Sequence, residues 1–179
     1  MKIIFKMKEI FDNIISRRSV RAYKPDAVPS EAIERIIEAG LYAPSGMNRQ
    51  ETVIVEISDK PTRDRLAKAN AAVMGSDRDP FYGAPTVLVV LAKRDCPTAV
   101  YDGSLVMGNM MLAAHALGLG SCWIHRAKEV FDTPEWKAWL ASLGIEGDFV
   151  GIGNCIIGYP CGEYPAEKER RSGRVYRSK

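Results

Sequence analysis

The chain has 179 residues, 46% hydrophobic and 26% charged, with a formal net charge of +3. That length suits one domain burying roughly 70% of its unfolded surface without a disulfide or metal staple. The composition excludes collagen, coiled coil and wholesale disorder. Residues 1–24 carry seven Lys/Arg against two acids, residues 160–179 six against three, and residues 25–159 twelve against seventeen. Basic ends around an acidic body argue against a nucleic-acid partner, which calls for a broader basic excess with interleaved aromatics. Two solvated tails fit this pattern, and so does a small anion held where the ends meet.

Ile10, Phe11, Ile14 and Ile15 recur at helical spacing and predict an amphipathic first helix ending near Ser16. Arg17–Tyr23 is expected as loop or short extended chain, because Pro25 and Pro29 oppose helix. Ser30 is expected to cap a second helix with a buried stripe of Ile33, Ile36, Ile37 and Leu41, stopped by Pro44. Residues 43–50 read as an ordered loop, Thr52–Ile57 as a strand, and Pro61 to about Ala72 as a third helix. The Asp-rich stretch Gly75–Pro80 is expected to be mobile. Thr86–Leu91 is apolar throughout, as in a strand buried on both faces. Ala99–Leu117 is apolar nearly all round and predicts a central buried helix, with its methionines as core filler. Then follow a short strand at Ser121–Ile124, short helices at Lys128–Phe131 and Pro134–Ser142 with Thr133 as cap, and a strand at Phe149–Gly158. Alternating strands and helices give an α/β or α+β architecture around a small mixed sheet. The residues after Pro160 are expected as an extended basic C-terminal segment (160–179) of a single domain (1–179).

Cys96, Cys122, Cys155 and Cys161 form no CxxC or zinc pattern, and two histidines exclude a His-rich metal site, so no metal is expected. Four reduced thiols fit a cytoplasmic protein. Thr86–Ala92 is too short to span a bilayer and Leu105–Leu119 is interrupted by polar residues and glycines, so no membrane span is expected. Met1–Phe11 lacks the apolar core of a signal peptide. No Walker A, G-x-G-x-x-G, G-x-S-x-G or HExxH motif occurs.

Three segments carry groups suited to chemistry. Arg17, Arg18, Ser19 and Arg21 offer guanidinium and hydroxyl donors, and in extended chain Arg17, Ser19 and Arg21 would point the same way toward one anion. A short surface Arg run is the plain alternative. Ser45 and Asn48 on a Pro- and Gly-bearing loop can read the edge of a planar heterocycle, or serve turn chemistry alone. Gly118–Arg126 is a Gly-rich turn after the long helix, where backbone can approach a ligand closely. His125 lies there as a candidate general acid against the commoner structural reading, and Cys122 has no legible His–Asp partner.

Taken together and in order, Arg17-Arg18-Ser19-Val20-Arg21, Ala43–Gln50, Gly83-Ala84-Pro85, Gly118–Ile124 and Gly158-Tyr159-Pro160 resemble the FMN-dependent nitroreductase family, across about Ile10 to Arg170. The resemblance implies an α+β fold with a central, mostly antiparallel sheet flanked by helices. It also implies a homodimer with active sites at the interface, binding FMN and using NADH or NADPH. By position, Arg17, Arg18, Ser19 and Arg21 resemble the phosphate and ribityl contacts, with Lys168 and Arg170 as further phosphate partners. Pro44, Ser45, Gly46 and Asn48 resemble the other subunit's contribution to the isoalloxazine site. Trp123, Ile124 and His125 match the segment along the flavin ring. Asn70 is a candidate for the Asn or Lys that many members place before the Gly83 strand. The chain departs from the family in carrying His125 where Gly is common, and in lacking the long lid insertion of larger members; Asn70–Tyr82 is a candidate small lid. The implied activity is ping-pong reduction of nitroaromatic, quinone or similar small acceptors, with no catalytic side chain nominated. The alternatives are an FMN-binding or redox-sensing protein without efficient turnover, or a specialised dehalogenase or heterocycle oxidase.

Overall fold

The computed structural model describes residues 2–178, with side chains from Glu9 onward. Its elements are α1 (Lys2–Ser16), α2 (Ser30–Leu41), β1 (Thr52–Ile57), α3 (Lys60–Met74), β2 (Thr86–Lys93), α4 (Ala99–Ala116), β3 (Gly120–Ile124), α5 (Ala127–Phe131), α6 (Pro134–Ser142) and β4 (Phe149–Gly158). A short 3-10 turn occupies Gly46–Asn48.

The four strands lie in the order β1-β2-β4-β3, and every adjacent pair is antiparallel. The expected mixed sheet is therefore corrected: the one parallel contact among the described residues is the isolated bridge Ser19–Ser121 beside β3. Along β2, Val87, Val89 and Leu91 join the core formed with α3, α5 and α6, while Leu88, Val90 and Ala92 join the core formed with α2 and α4. Side chains alternate across a strand, so covering both faces makes β2 read as an unbroken apolar run. The result is an α+β fold with helices on both faces of an antiparallel sheet.

Four local expectations are corrected. The cap of α2 is Pro29, whose carbonyl accepts from the Ala32 and Ile33 amides at 3.0 and 3.2 Å, so Ser30 lies inside the helix. Leu41 is exposed rather than part of the buried stripe. The helix α4 is not buried all round: Val106, Met107 and Met110 are buried, but Val100, Tyr101 and Leu105 face outward. The Asp-rich stretch is pinned, because Asp79 accepts from Arg63 Nη2 at 2.6 Å and from the Phe81 and Gly83 amides at 2.9 Å.

Candidate active site

The two basic ends of the chain meet along the β3 side of the sheet. The Val20 amide donates to the Ser121 carbonyl at 3.1 Å, the Lys24 amide to Tyr159 at 2.9 Å, and the Cys161 amide to Ala22 at 2.9 Å. Gly120 permits this approach, since a Cβ there would lie 3.0 Å from the Val20 side chain. The C-terminal segment then folds back: the Arg18 amide donates to Tyr164 Oη at 3.0 Å, and Arg18 Nη2 lies 3.4 Å from Glu167. Tyr164 Oη is 3.1 Å from His115 Nδ1, while Ser16 Oγ is 2.8 Å from Nε2 of the same ring. Burial, then the Arg17 and Arg18 charges, hold His115 below its usual value.

Next to this junction lies a cleft of about 570 Å³, a size typical of small-molecule sites. Arg21, Trp123, Ile124 and His125 line it together with Arg78 and Tyr82. The β3–α5 corner is held from behind by two buried asparagines. Asn70 Nδ2 donates to the His125 carbonyl at 2.8 Å, and Asn154 Nδ2 to the Ile124 carbonyl at 3.3 Å. Arg126, at φ 72°, turns the chain and donates from Nε to Asn70 Oδ1 at 3.2 Å. Gly153 leaves room for the Trp123 indole, because a Cβ at that position would sit 2.7 Å from Trp123 Nε1.

The cleft is cationic. Arg21, Arg78 and Arg126 line it against one carboxylate, Asp79, which is already committed to Arg63 and two backbone amides. Arg17 Nη1 is buried without a hydrogen-bond partner among the described residues. An unpaired buried guanidinium nitrogen is costly, and an anion would satisfy it. Arg18 is committed at its head, where Nη1 donates to the Arg17 carbonyl at 2.9 Å and Nη2 faces Glu167, but its Nε is likewise buried without a partner among the described residues.

The structure thus gathers some of the sequence-predicted residues and separates others. Arg21, Trp123, Ile124 and His125 share the cleft, and Arg17, Arg18 and Ser19 lie on the segment leading into it. Lys168 and Arg170 are exposed, just beyond the Glu167 contact with Arg18. Pro44, Ser45, Gly46 and Asn48 do not line this cleft; their loop is seated instead on the start of α4, where the Gly46 amide donates to Asp102 Oδ1 at 3.0 Å. Sequence reasoning missed Asn154, Arg126, Arg78 and Asp102. Asn154 in an apolar strand and Asp102 in an apolar helix were legible signals, since an isolated polar residue there needs a partner. Arg126 lies in the Gly-rich segment singled out above and Arg78 in the candidate lid, yet nothing local marked either side chain as lining a site.

The nitroreductase family model matches residues 14–78 and 74–159 of the chain. A protein of Archaeoglobus fulgidus, provisionally named NADH dehydrogenase/NAD(P)H nitroreductase, is 32% identical over 180 residues, covering 97% of this chain and 99% of that one. The crystal structure of a Bacteroides fragilis nitroreductase with bound FMN superposes with a TM-score of 0.87 at 31% identity, covering 96% of this chain and 99% of that one. An FMN-dependent nitroreductase of Clostridium difficile shares the fold, with a TM-score of 0.86 at 24% identity and 95% and 99% coverage.

Proposed function

The chain belongs to the nitroreductase family, and from that membership and the cationic cleft we infer that it is a homodimeric, FMN-dependent NAD(P)H oxidoreductase reducing nitroaromatic, quinone or similar small acceptors. The observation that carries this reading is the convergence of both basic ends beside a cleft whose guanidiniums outnumber its free carboxylates.

The donor set suits FMN. The orphaned Arg17 Nη1, with Ser19, Arg21, Lys168 and Arg170, would hold the phosphate and ribityl chain, and Arg18 orders that segment. Arg–phosphate pairing is strong and geometrically specific. Trp123, Ile124 and His125 would lie along the ring, fixed by Asn70 and Asn154. Bound FMN supplies the hydride and electron chemistry that no side chain of this cleft provides. The residues of the chain bind and orient it, and the surplus positive charge favours electron-rich species at that edge. Protons can come from water, so no general acid is assigned.

The homodimer is supported by apolar surface that one chain leaves open: Ile10, Phe11, Ile14 and Ile15 on α1, and Tyr101 and Leu105 on α4, are all exposed. Patches of this kind mark interaction sites. In that dimer the Pro44–Asn48 loop of one subunit completes the site of the other. Four free cysteines accord with a reducing compartment, and a cytoplasmic location belongs to this reading.

The test is the visible spectrum of the protein with FMN, before and after anaerobic NADH and then NADPH, followed by a quinone or a nitroarene. Bound flavin that bleaches and then recovers is the expected result. Bound flavin that stays oxidised indicates a binder without turnover, and absence of bound flavin overturns the reading.

A further inference from the structure

The loop that does not reach its own chain's cleft is held in an unusual way. Met47, Asn48 and Gln50 all have positive φ, at 55°, 55° and 54°. Non-glycine residues in this region are strained, and such strain persists only where surrounding structure enforces it. Ser45 Oγ accepts from the Gln50 amide at 3.0 Å, and Gln50 Nε2 donates to Asn48 Oδ1 at 3.0 Å, so the loop is internally braced. Among the described residues, one hydrogen bond ties residues 44–50 to the rest of the chain: the Gly46 amide to Asp102 Oδ1.

Asp102 is 4% exposed, in the first turn of α4. Its second oxygen accepts from Thr98 Oγ1 at 2.8 Å. Thr98 also fixes the distance of approach, because a Cβ on Gly46 would lie 2.5 Å from Thr98 Oγ1. Both oxygens of this buried side chain are thus engaged, one by Thr98 and one by the loop. Here it holds one amide of a strained loop whose Met47 is 84% exposed and turned away from the chain.

We propose that Asp102 is a positioning residue for the flavin site of the other subunit: its contact with Gly46 holds the Pro44–Asn48 loop in the shape that completes that site. This rests on the homodimeric FMN reading above. Asp102 therefore acts in trans, whereas Arg21, which lines its own chain's cleft, acts in cis.

The experiment uses mixed dimers, made by co-expressing differently tagged full chains that carry Asp102→Ala and Arg21→Ala. In such a dimer one site combines an intact Arg21 with an intact loop, and the other carries both lesions. FMN titration should find one tight site per mixed dimer, with the affinity of the unmodified protein. The Asp102→Ala homodimer should bind FMN about tenfold more weakly or worse, and Asp102→Asn should stay within about threefold, since an amide can accept from Gly46 and donate to Thr98. Amide hydrogen exchange without flavin is the independent readout: residues 44–50 should exchange faster in Asp102→Ala and not in Asp102→Asn. A mixed dimer with no tight site assigns Asp102 a role within its own subunit and overturns the proposal. Unchanged loop exchange in Asp102→Ala overturns it as well. An unmodified protein that binds no FMN overturns the functional reading instead, and that result is in hand before any variant is made.

Discussion

The side-chain amide of Asn70 donates to the backbone carbonyl of His125 at 2.8 Å, although 55 positions separate the two residues. Asn70 is fully buried, and its oxygen accepts from Arg126 Nε. The residue thus fixes both the carbonyl and the side chain that shape the cleft's inner corner. Replacing it with leucine keeps the heavy-atom count and branching of the side chain and removes both bonds. Leaving the His125 carbonyl short of its closest donor should cost about 1–3 kcal/mol of stability. Asn70→Leu should unfold at a lower temperature, and because the ring-facing segment moves, FMN should also bind more weakly. Calorimetry and flavin titration read the two effects separately. Full stability with unchanged affinity would remove Asn70 from the site.

Arg21 is exposed, and among the described residues its guanidinium makes only a long 3.5 Å contact, with the Ser19 carbonyl. Little is lost internally when it is removed, so Arg21→Ala should leave thermal stability nearly unchanged. Its effect should fall on the cofactor: FMN affinity should weaken by about 1.5–3 kcal/mol, the range for one hydrogen bond to a charged group. The loss should shrink as salt is raised, since exposed charge pairs are screened. Equal dissociation constants for the variant and the unmodified protein at low salt would take Arg21 off the anion.

Much of the scaffold was legible in the sequence. The strands Thr52–Ile57 and Phe149–Gly158 were readable to the residue, because short apolar or β-branched runs bounded by polar residues and glycines have few other uses. The start of α2 was misread because Ser30 is the better cap by type, yet the carbonyl of Pro29 begins the helix. The outward face of α4 was misread as core, since composition cannot distinguish a side chain packed in one chain from one left for another. The cleft was the least legible part. Arg21, Arg78 and Arg126 come from three distant segments, and only the turn at Arg126 and the pinning of Asp79 bring their guanidiniums around one space. Spacing along the chain records none of this.

Gly153 is required by a close approach rather than by its backbone angles. A methyl group there would lie 2.7 Å from Trp123 Nε1, 2.8 Å from Trp123 Cε2 and 3.1 Å from Met107 Cε. Trp123 packs against the core that contains the fully buried Met107 and also lines the cleft, so a displaced indole disturbs both. Gly153→Ala should therefore cost about 1–3 kcal/mol, as overpacking does, and lower the melting temperature by roughly 2–4 °C per kcal/mol at this chain length. The displaced ring should also disturb the cleft and weaken FMN binding. Trp123→Phe in the same chain relieves the clash at Nε1 and should recover part of the lost stability. A melting temperature unaffected by Gly153→Ala would show that the indole is not confined.

His115 gives a stability change with a definite sign. It is held below its ordinary value of 6.5 by burial and by the Arg17 and Arg18 charges, so the folded chain favours the neutral ring more than the unfolded chain does. As pH falls below about 6.5, the unfolded state takes up the proton first and stability declines. The decline ends once pH has passed below the folded-state value, where both states carry the proton. Above about 6.5 the contribution is fully present. The neutral ring bridges Ser16 Oγ at 2.8 Å and Tyr164 Oη at 3.1 Å, so protonation also strains the link that ties the C-terminal segment to Arg18. Melting temperatures between pH 7.5 and pH 5.5 should fall more steeply for the unmodified protein than for His115→Gln, which cannot titrate. Proteolysis after residue 164 should quicken over the same interval in the unmodified protein alone. Parallel curves for the two proteins would show that His115 does not couple pH to the hold on the C-terminal segment.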